Sequence, residues 1–167
     1  MIFDALLIVP VVIAVAWTII VSLQTGVPPY PSSRAEAADV IALLAAAAMP
    51  DRPLIYELGC GFGGLASRLA EAFPNARVVG IERSPVPCLF AWIRSRGRYT
   101  VRWADFSAMN LSDADAVTAY LMIAPMVPLQ QQLRAQLRAA TPIVTLTFWF
   151  RGRAPETKRG RAALYRA

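Results

Sequence analysis

The chain has 167 residues, room for one domain and an appendage, and its 56% hydrophobic content and mean hydropathy of +0.44 exceed what a soluble domain needs. It has no histidine, which excludes Ser-His-Asp and Cys-His hydrolases in their usual form, His-rich metal sites and imidazole acid–base catalysis. The net charge of +6 is uneven: residues 1–150 carry 11 Arg against 10 acids, a balance of +1, and residues 151–167 carry six basic residues against Glu156 alone, a balance of +5.

From Ala5 to Leu23 run 19 residues without a charge. As a helix rising ~1.5 Å per residue this stretch reaches roughly 28 Å, about the thickness of a bilayer core, and it predicts a transmembrane anchor. A cleaved signal peptide and a buried core helix are the alternatives. The first lacks a basic n-region and a small-x-small cleavage site. No basic residue precedes the run, whereas Arg34 and Arg52 follow it, so the body is expected on the cytoplasmic side of a single-pass membrane protein, with residues 5–23 in the lipid bilayer. Residues 26–33 contain three prolines and make a stiff, extended connection. Ser33 then suits an N-cap, with Glu36 as its capping-box partner, for an Ala/Leu-rich helix over Arg34–Met49 that Pro50 and Pro53 end.

A regular alternation follows. Strands are predicted over Leu54–Leu58, Arg77–Ile81, Tyr99–Trp103, Ala116–Met122 and Ile143–Phe150, and helices over Leu65–Phe73, Val86–Arg96 and Pro128–Ala139. Strands alternating with helices imply an α/β fold: a doubly wound, mostly parallel sheet, Rossmann-like, with ligands at the carboxyl ends of the strands. Four segments result: an anchor (1–25), a Pro-rich lead-in with its helix (26–53), a core (54–150) and a basic tail (151–167). In the tail only Ala162–Tyr165 is apolar enough to add one last edge strand. Because the excess positive charge belongs to this tail, no nucleic-acid partner is expected. Cys60 and Cys88 are far apart and form no metal-ligand pair, and no metal is expected.

The stretch with most chemistry in it is Glu57-Leu58-Gly59-Cys60-Gly61-Phe62-Gly63-Gly64, between the first strand and its helix. Gly59, Gly61 and Gly63 fit E-x-G-x-G-x-G, while Gly59, Gly61 and Gly64 also fit the dinucleotide pattern G-x-G-x-x-G. Glu57 discriminates between them, because a carboxylate beside a pyrophosphate repels it and one beside a sulfonium with an ammonium group attracts it. Glu82 closes the second strand at a spacing suited to a ribose diol, with Arg83 next to it. Asp105 follows the third strand, where it can accept from an adenine amine while Phe106 offers an apolar wall. Any one of these acids alone is equally well a solvated loop residue; three in register are hard to obtain by accident.

With these residues the segment Leu54–Phe150 resembles the class I S-adenosylmethionine-dependent methyltransferases. It is closer still to a membrane-anchored protein-lysine methyltransferase family with bacterial relatives, whose mitochondrial members modify the ATP synthase c subunit and the adenine nucleotide carrier. The resemblance rests on the apolar N-terminal stretch, Val27-Pro28-Pro29-Tyr30-Pro31, the glycine loop, the helix around Gln130–Leu137 and a Phe-rich fifth strand. It implies S-adenosyl-L-methionine as cofactor, held by Glu57, Gly59, Cys60, Gly61, Gly63, Glu82, Arg83, Asp105 and Phe106, and a lysine of a membrane protein as acceptor. The chain departs from the family in having Phe62-Gly63-Gly64 where members carry Asp-Gly-Arg, and in a short C-terminal part. Tyr120, at the fourth-strand end that the family sets nearest the methyl group, and Tyr30 are the candidates to flank the acceptor; for Tyr120 a core aromatic is an equal reading. A small-molecule or lipid methyltransferase, and a catalytically silent binding module whose basic tail meets anionic lipid, are the other functions in play.

Overall fold

Val, Ile, Leu and Ala dominate the runs that become strands, and in a parallel sheet such runs are buried on both faces. The computed structural model describes residues 32–167 together with positions 9, 12, 13, 16, 17 and 20. In it seven strands form one sheet in the order β3-β2-β1-β4-β5-β7-β6, with β1 (Leu54–Leu58), β2 (Arg77–Glu82), β3 (Thr100–Trp103), β4 (Ala116–Ala119) and β5 (Pro142–Leu146) parallel. The expected doubly wound sheet is therefore present. The strand order reverses between β1 and β4, and the crevice at their carboxyl ends is where such a fold takes its ligand.

Helices cover both faces. On one lie α1 (Arg34–Ala46), α2 (Gly64–Ala72) and α3 (Pro85–Ser95), with Leu44, Leu65, Leu69 and Val78 among the buried side chains between layers. On the other lies α4 (Ile123–Gln136), which buries Met126, Leu129 and Leu133 against Leu58, Val117 and Ile143. The start of α1 is as the sequence predicts: the Ser33 hydroxyl accepts from the Glu36 amide at 3.2 Å, and the Glu36 carboxylate accepts from the Ser33 amide at 2.8 Å.

Three expectations need correction. Helix α4 begins at Ile123, not Pro128, and keeps Pro128 inside it. A proline in the second turn forfeits one backbone hydrogen bond, and the burial of Met126 and Leu129 on either side offsets that loss. Strand β5 stops at Leu146, four residues short of Phe150, because Thr147 turns into the left-handed region at φ 70° and the Phe148 amide donates back to the Leu146 carbonyl at 2.8 Å. The tail is not a single edge strand. It folds into β6 (Thr157–Arg159) and β7 (Ala162–Arg166), and β7 lies inside the sheet, antiparallel to β5 on one side and β6 on the other.

Most of the tail's six positive charges are partnered in this arrangement. Arg159 pairs with Asp39 at 3.1 Å and Arg161 with Glu36 at 3.2 Å, both across to α1, and Arg166 pairs with Glu156 at 2.8 Å. The Lys158 ammonium sits 4.2 Å from the centre of the Trp149 ring. Among the described residues no helix is long and apolar enough to cross a membrane. The anchor expected over 5–23 lies outside the described residues apart from Val9, Val12, Ile13, Ala16, Trp17 and Ile20, which are helical and exposed. Tyr30 also lies outside them.

Candidate functional site

The glycine loop leaves β1 at its carboxyl end and turns directly into α2. Gly59, Gly61 and Gly63 all have positive φ, between 53° and 74°, which L side chains rarely adopt. Gly63 is held most tightly: a Cβ there would run into the Tyr99 hydroxyl and stand 3.1 Å from the Ala91 backbone. A Cβ on Gly61 meets nothing within 4 Å, so this glycine borders open space and leaves its backbone free to touch a ligand. The amides of Gly59 and Cys60 both donate to the Ile81 carbonyl, at 2.9 and 3.0 Å, so the start of the loop is fixed to β2. Cys60 is buried, and burial, ahead of the nearby Glu57 and Glu82, pushes its thiol up, so it contributes backbone rather than a reactive sulfur.

The structure brings the three predicted acids to the carboxyl ends of adjacent strands, each in a different environment. Glu82 ends β2 and bridges two backbone turns, with Oε2 accepting from the Gly61 amide at 2.9 Å and Oε1 from the Ser84 amide at 2.7 Å. Each oxygen keeps a lone pair for a further donor, which is what binding a diol requires. Asp105 caps the short turn Phe106–Ala108. Its Oδ1 accepts from the Ser107 amide and hydroxyl at 2.9 and 2.7 Å, and its Oδ2 faces Arg83 at 3.3 Å. Burial opposes ionisation there, but the Ser107 hydrogen bonds and the Arg83 charge prevail and hold the carboxyl below the usual range. The Arg83 pair is exposed, worth ~0–1 kcal/mol, so a ligand displaces it at little cost.

Glu57 is the unusual one. It is 3% exposed, and its Oε2 has no hydrogen-bond partner. Its pKa is raised to about 8: burial is the main cause, the Ala66 amide at the start of α2 opposes it, and the neighbouring Glu82 adds to the rise. Helix α2 has only Gly63 as its N-cap and no side-chain cap, so its first-turn amides face the buried Glu57 carboxyl with no competing side chain. An orphaned carboxylate oxygen at a site with a second acid lacks a cation or a donor. An ammonium or sulfonium group supplies what is missing, so these residues fit S-adenosylmethionine.

Phe106 is half-buried against the α4-side core, and the Gln132 amide donates to the Phe106 and Met109 carbonyls at 2.9 and 3.1 Å. Gln132 was not singled out from the sequence; its place in a Gln-rich helix is the only signal of it. Tyr120 stands one residue beyond β4, half-buried, and packs against the cluster that contains Leu65 and Ile55. The following residue, Leu121, lies beneath Gly59.

A cavity of about 250 Å³ opens beyond the ends of β4 and β5, walled by Ile123, Met126, Val127, Phe148 and Trp149 with Thr147 and Arg151 at its margin. Nothing in the sequence points to it, because Phe148 and Trp149 read as strand residues. Thr147 is a β-branched residue in a γ-turn with positive φ, and its buried hydroxyl has no partner. Replacing it with glycine is expected to stabilise the protein by about 1 kcal/mol, seen as a rise of ~2–4 °C in Tm. A fall in Tm would mean that the hydroxyl makes a contact that outweighs the strain.

A doubly wound sheet with an acid-led glycine loop after β1, and acids after β2 and β3, defines an S-adenosylmethionine-dependent methyltransferase. The family model described as "ANTKMT methyltransferase domain" matches residues 57–157, and the chain belongs to that family. The chain is 28% identical over 108 residues, 62% of its length and 67% of the other's, to a protein-lysine N-methyltransferase of Saccharolobus islandicus (strain REY15A). Its fold superposes with a TM-score of 0.70 on an RNA methyltransferase from Salinibacter ruber in complex with S-adenosyl-L-homocysteine, at 26% identity over 82% of this chain and 92% of that one. A coclaurine N-methyltransferase shares the fold at a TM-score of 0.51 and 19% identity over 65% of this chain and 35% of that one. S-adenosylmethionine is the methyl donor of this enzyme.

Proposed function

We propose that the chain methylates the ε-amino group of a lysine in a membrane protein, working at the cytoplasmic face with residues 5–23 as its anchor. The likeness to the Saccharolobus islandicus protein-lysine N-methyltransferase carries the lysine reading. The uncharged stretch at Ala5–Leu23 carries the membrane reading, since tethering raises the effective concentration of targets on the same surface. In this reading Glu57 and the loop amides hold the methionine part, Glu82 the ribose, and Asp105, Arg83 and Phe106 the adenine region.

The transfer breaks a carbon–sulfur bond and forms a carbon–nitrogen bond, with the sulfur keeping the electron pair. The chain's task is to align the amine and exclude water, so the lack of histidine is no obstacle. The cavity's apolar wall at Ile123, Val127 and Trp149 suits the methylenes of a lysine, and the Arg151 guanidinium at its margin disfavours a second positive charge and so favours the reactive neutral amine.

Glu82→Ala tests the cofactor side. It removes a carboxylate that orders Gly61 and Ser84 as well as its contact with the donor, and calorimetry is expected to show S-adenosylmethionine affinity at least ~100-fold weaker. Unchanged affinity would sink the assignment of Glu82. Labelled methyl groups from the donor should appear in the protein fraction of membranes, not in the solvent extract. An RNA acceptor is a second reading, favoured by the fuller coverage of the Salinibacter ruber structure, and label in RNA with none in protein would decide for it.

A further inference from the structure

The exposed apolar side chains of the described domain concentrate on α3. Leu89, Phe90, Trp92 and Ile93 are 55%, 52%, 64% and 56% exposed, and Trp103 at the end of the edge strand β3 is 69% exposed. Within residues 32–167 the other exposed large apolar side chains, Ile123, Val127 and Trp149, all line the cavity already described. The α3 face has no such use. Its flanks are basic: Arg94 and Arg96 close the helix, and Arg98, paired with Glu71, and Arg83, paired with Asp105, stand on either side of it, with no acid in the sequence from Arg83 to Trp103.

We propose that this face of α3, with Trp103, rests in the headgroup zone of an anionic bilayer and holds the catalytic domain against the membrane. Aliphatic and aromatic side chains on one helix face with arginines around them match an interfacial helix, where rings settle at headgroup depth and guanidinium groups meet phosphate. An RNA surface would use the rings for stacking, but Leu89 and Ile93 offer bases nothing to stack on. The lead-in of the chain supports the same side. The Ser32 carbonyl accepts from Arg68 of α2 at 3.2 Å, and α2 packs between α1 and α3, so the start of the described domain sits on the helical layer that carries the patch. The inference deepens the membrane reading above and does not depend on which acceptor is methylated.

The surface also touches the site. Phe62 of the glycine loop packs edge-on against Phe90 with ring centres 5.8 Å apart, and Arg94 Nε donates to the Phe62 carbonyl at 2.9 Å. Lipid against Phe90 and Arg94 therefore steadies the loop that holds the donor, and vesicles should tighten donor binding.

The test uses the full chain reconstituted in phosphatidylcholine vesicles containing about one-third phosphatidylglycerol. Trp17→Phe, Trp103→Phe and Trp149→Phe together leave Trp92 as the only tryptophan; a sister variant keeps only Trp149, beside α4 on the opposite face of the sheet. Brominated acyl chains are expected to quench Trp92 at least about twofold more than Trp149. Arg96→Gln, at the exposed end of α3, should weaken the docking about fivefold, and high salt should weaken it as well. Equal quenching of the two tryptophans overturns the proposal. So does quenching of Trp92 by an RNA oligonucleotide in place of bromolipid, or burial of Trp92 in a dimer that persists without lipid. A nitroxide on Ile93→Cys gives an independent reading of depth through oxygen accessibility, because the native Cys60 and Cys88 are buried. Donor binding by calorimetry is scored separately, so loss of the enzyme assignment is distinguishable from loss of this surface.

Discussion

Gly63→Ala is expected to lower stability by about 2–5 kcal/mol and Tm by ~5 °C or more, the largest loss of any single methyl addition to the loop. Two costs combine. The left-handed backbone at φ 74° penalises a side chain by ~1–2 kcal/mol. The new Cβ also collides with the Tyr99 hydroxyl, which donates to the Ala91 carbonyl at 2.9 Å and the Gly63 carbonyl at 3.3 Å, and pushing it aside leaves those buried groups short of partners, at ~1–3 kcal/mol. Urea unfolding measures the sum. The double variant Gly63→Ala, Tyr99→Phe removes the hydroxyl in the way and should recover part of the loss. A single-variant cost under ~1 kcal/mol would show that the loop is free to rearrange.

Glu57→Gln should move stability and binding in opposite directions. In the free protein the Glu57 carboxyl titrates at about 8, against 4.5 for an ordinary glutamate. Below pH ~4.5 folded and unfolded chains both hold the proton; between the two values unfolding releases it, so stability falls as pH rises through this window and levels off above 8. Glutamine does not ionise. At pH 7 the free Glu57→Gln protein is therefore expected to be more stable than the parent by on the order of 2–3 kcal/mol, an advantage that fades toward pH 4.5. Its donor affinity should drop at least ~10-fold, because the negative charge facing the ammonium is gone. The parent should release close to one proton on binding at pH 7, read as a dependence of the binding heat on buffer ionisation enthalpy, and the variant none. Equal affinity with equal proton release would remove Glu57 from the donor site.

Most of this site is legible before any coordinates because its residues are fixed by backbone position. A glycine loop after a strand, an acid at the end of the next strand and another after the third are properties of spacing, and the parallel sheet converts spacing into proximity. What an isolated motif does not convey is which lone pairs are already taken. Asp105 and Glu82 both reach their expected places, yet Asp105 is spoken for by Ser107 and Arg83, Glu82 by two amides, and only Glu57 is left with an oxygen unused. The end of β5 was hidden for a different reason. Ile143–Phe150 has unbroken β-propensity, and only the tertiary need to turn the chain back toward β7 forces Thr147 out of the strand region. Helix α4 shows the converse, where proline punctuation at Pro128 loses to burial. The tail reads as solvent-exposed because Arg159 and Arg161 look free in the sequence, and their partners, Asp39 and Glu36, lie more than a hundred residues upstream.

That last pairing bears on how the enzyme is made. Helix α1 packs on β5, β6 and β7 and reaches across to the turn between the last two strands, so the first helix of the domain has no completed surface to rest on until the last strand exists. At ~5–20 residues per second, the ~115 residues between them delay closure by on the order of ten seconds after α1 leaves the ribosome. Through that interval β1, β2 and β4 can already pair and shape the donor crevice, while Val40, Leu43 and Leu44 of α1 remain uncovered. A nascent chain cut short before Ala162 would thus carry its glycine loop but leave α1 unseated, exposed to chaperones and proteases.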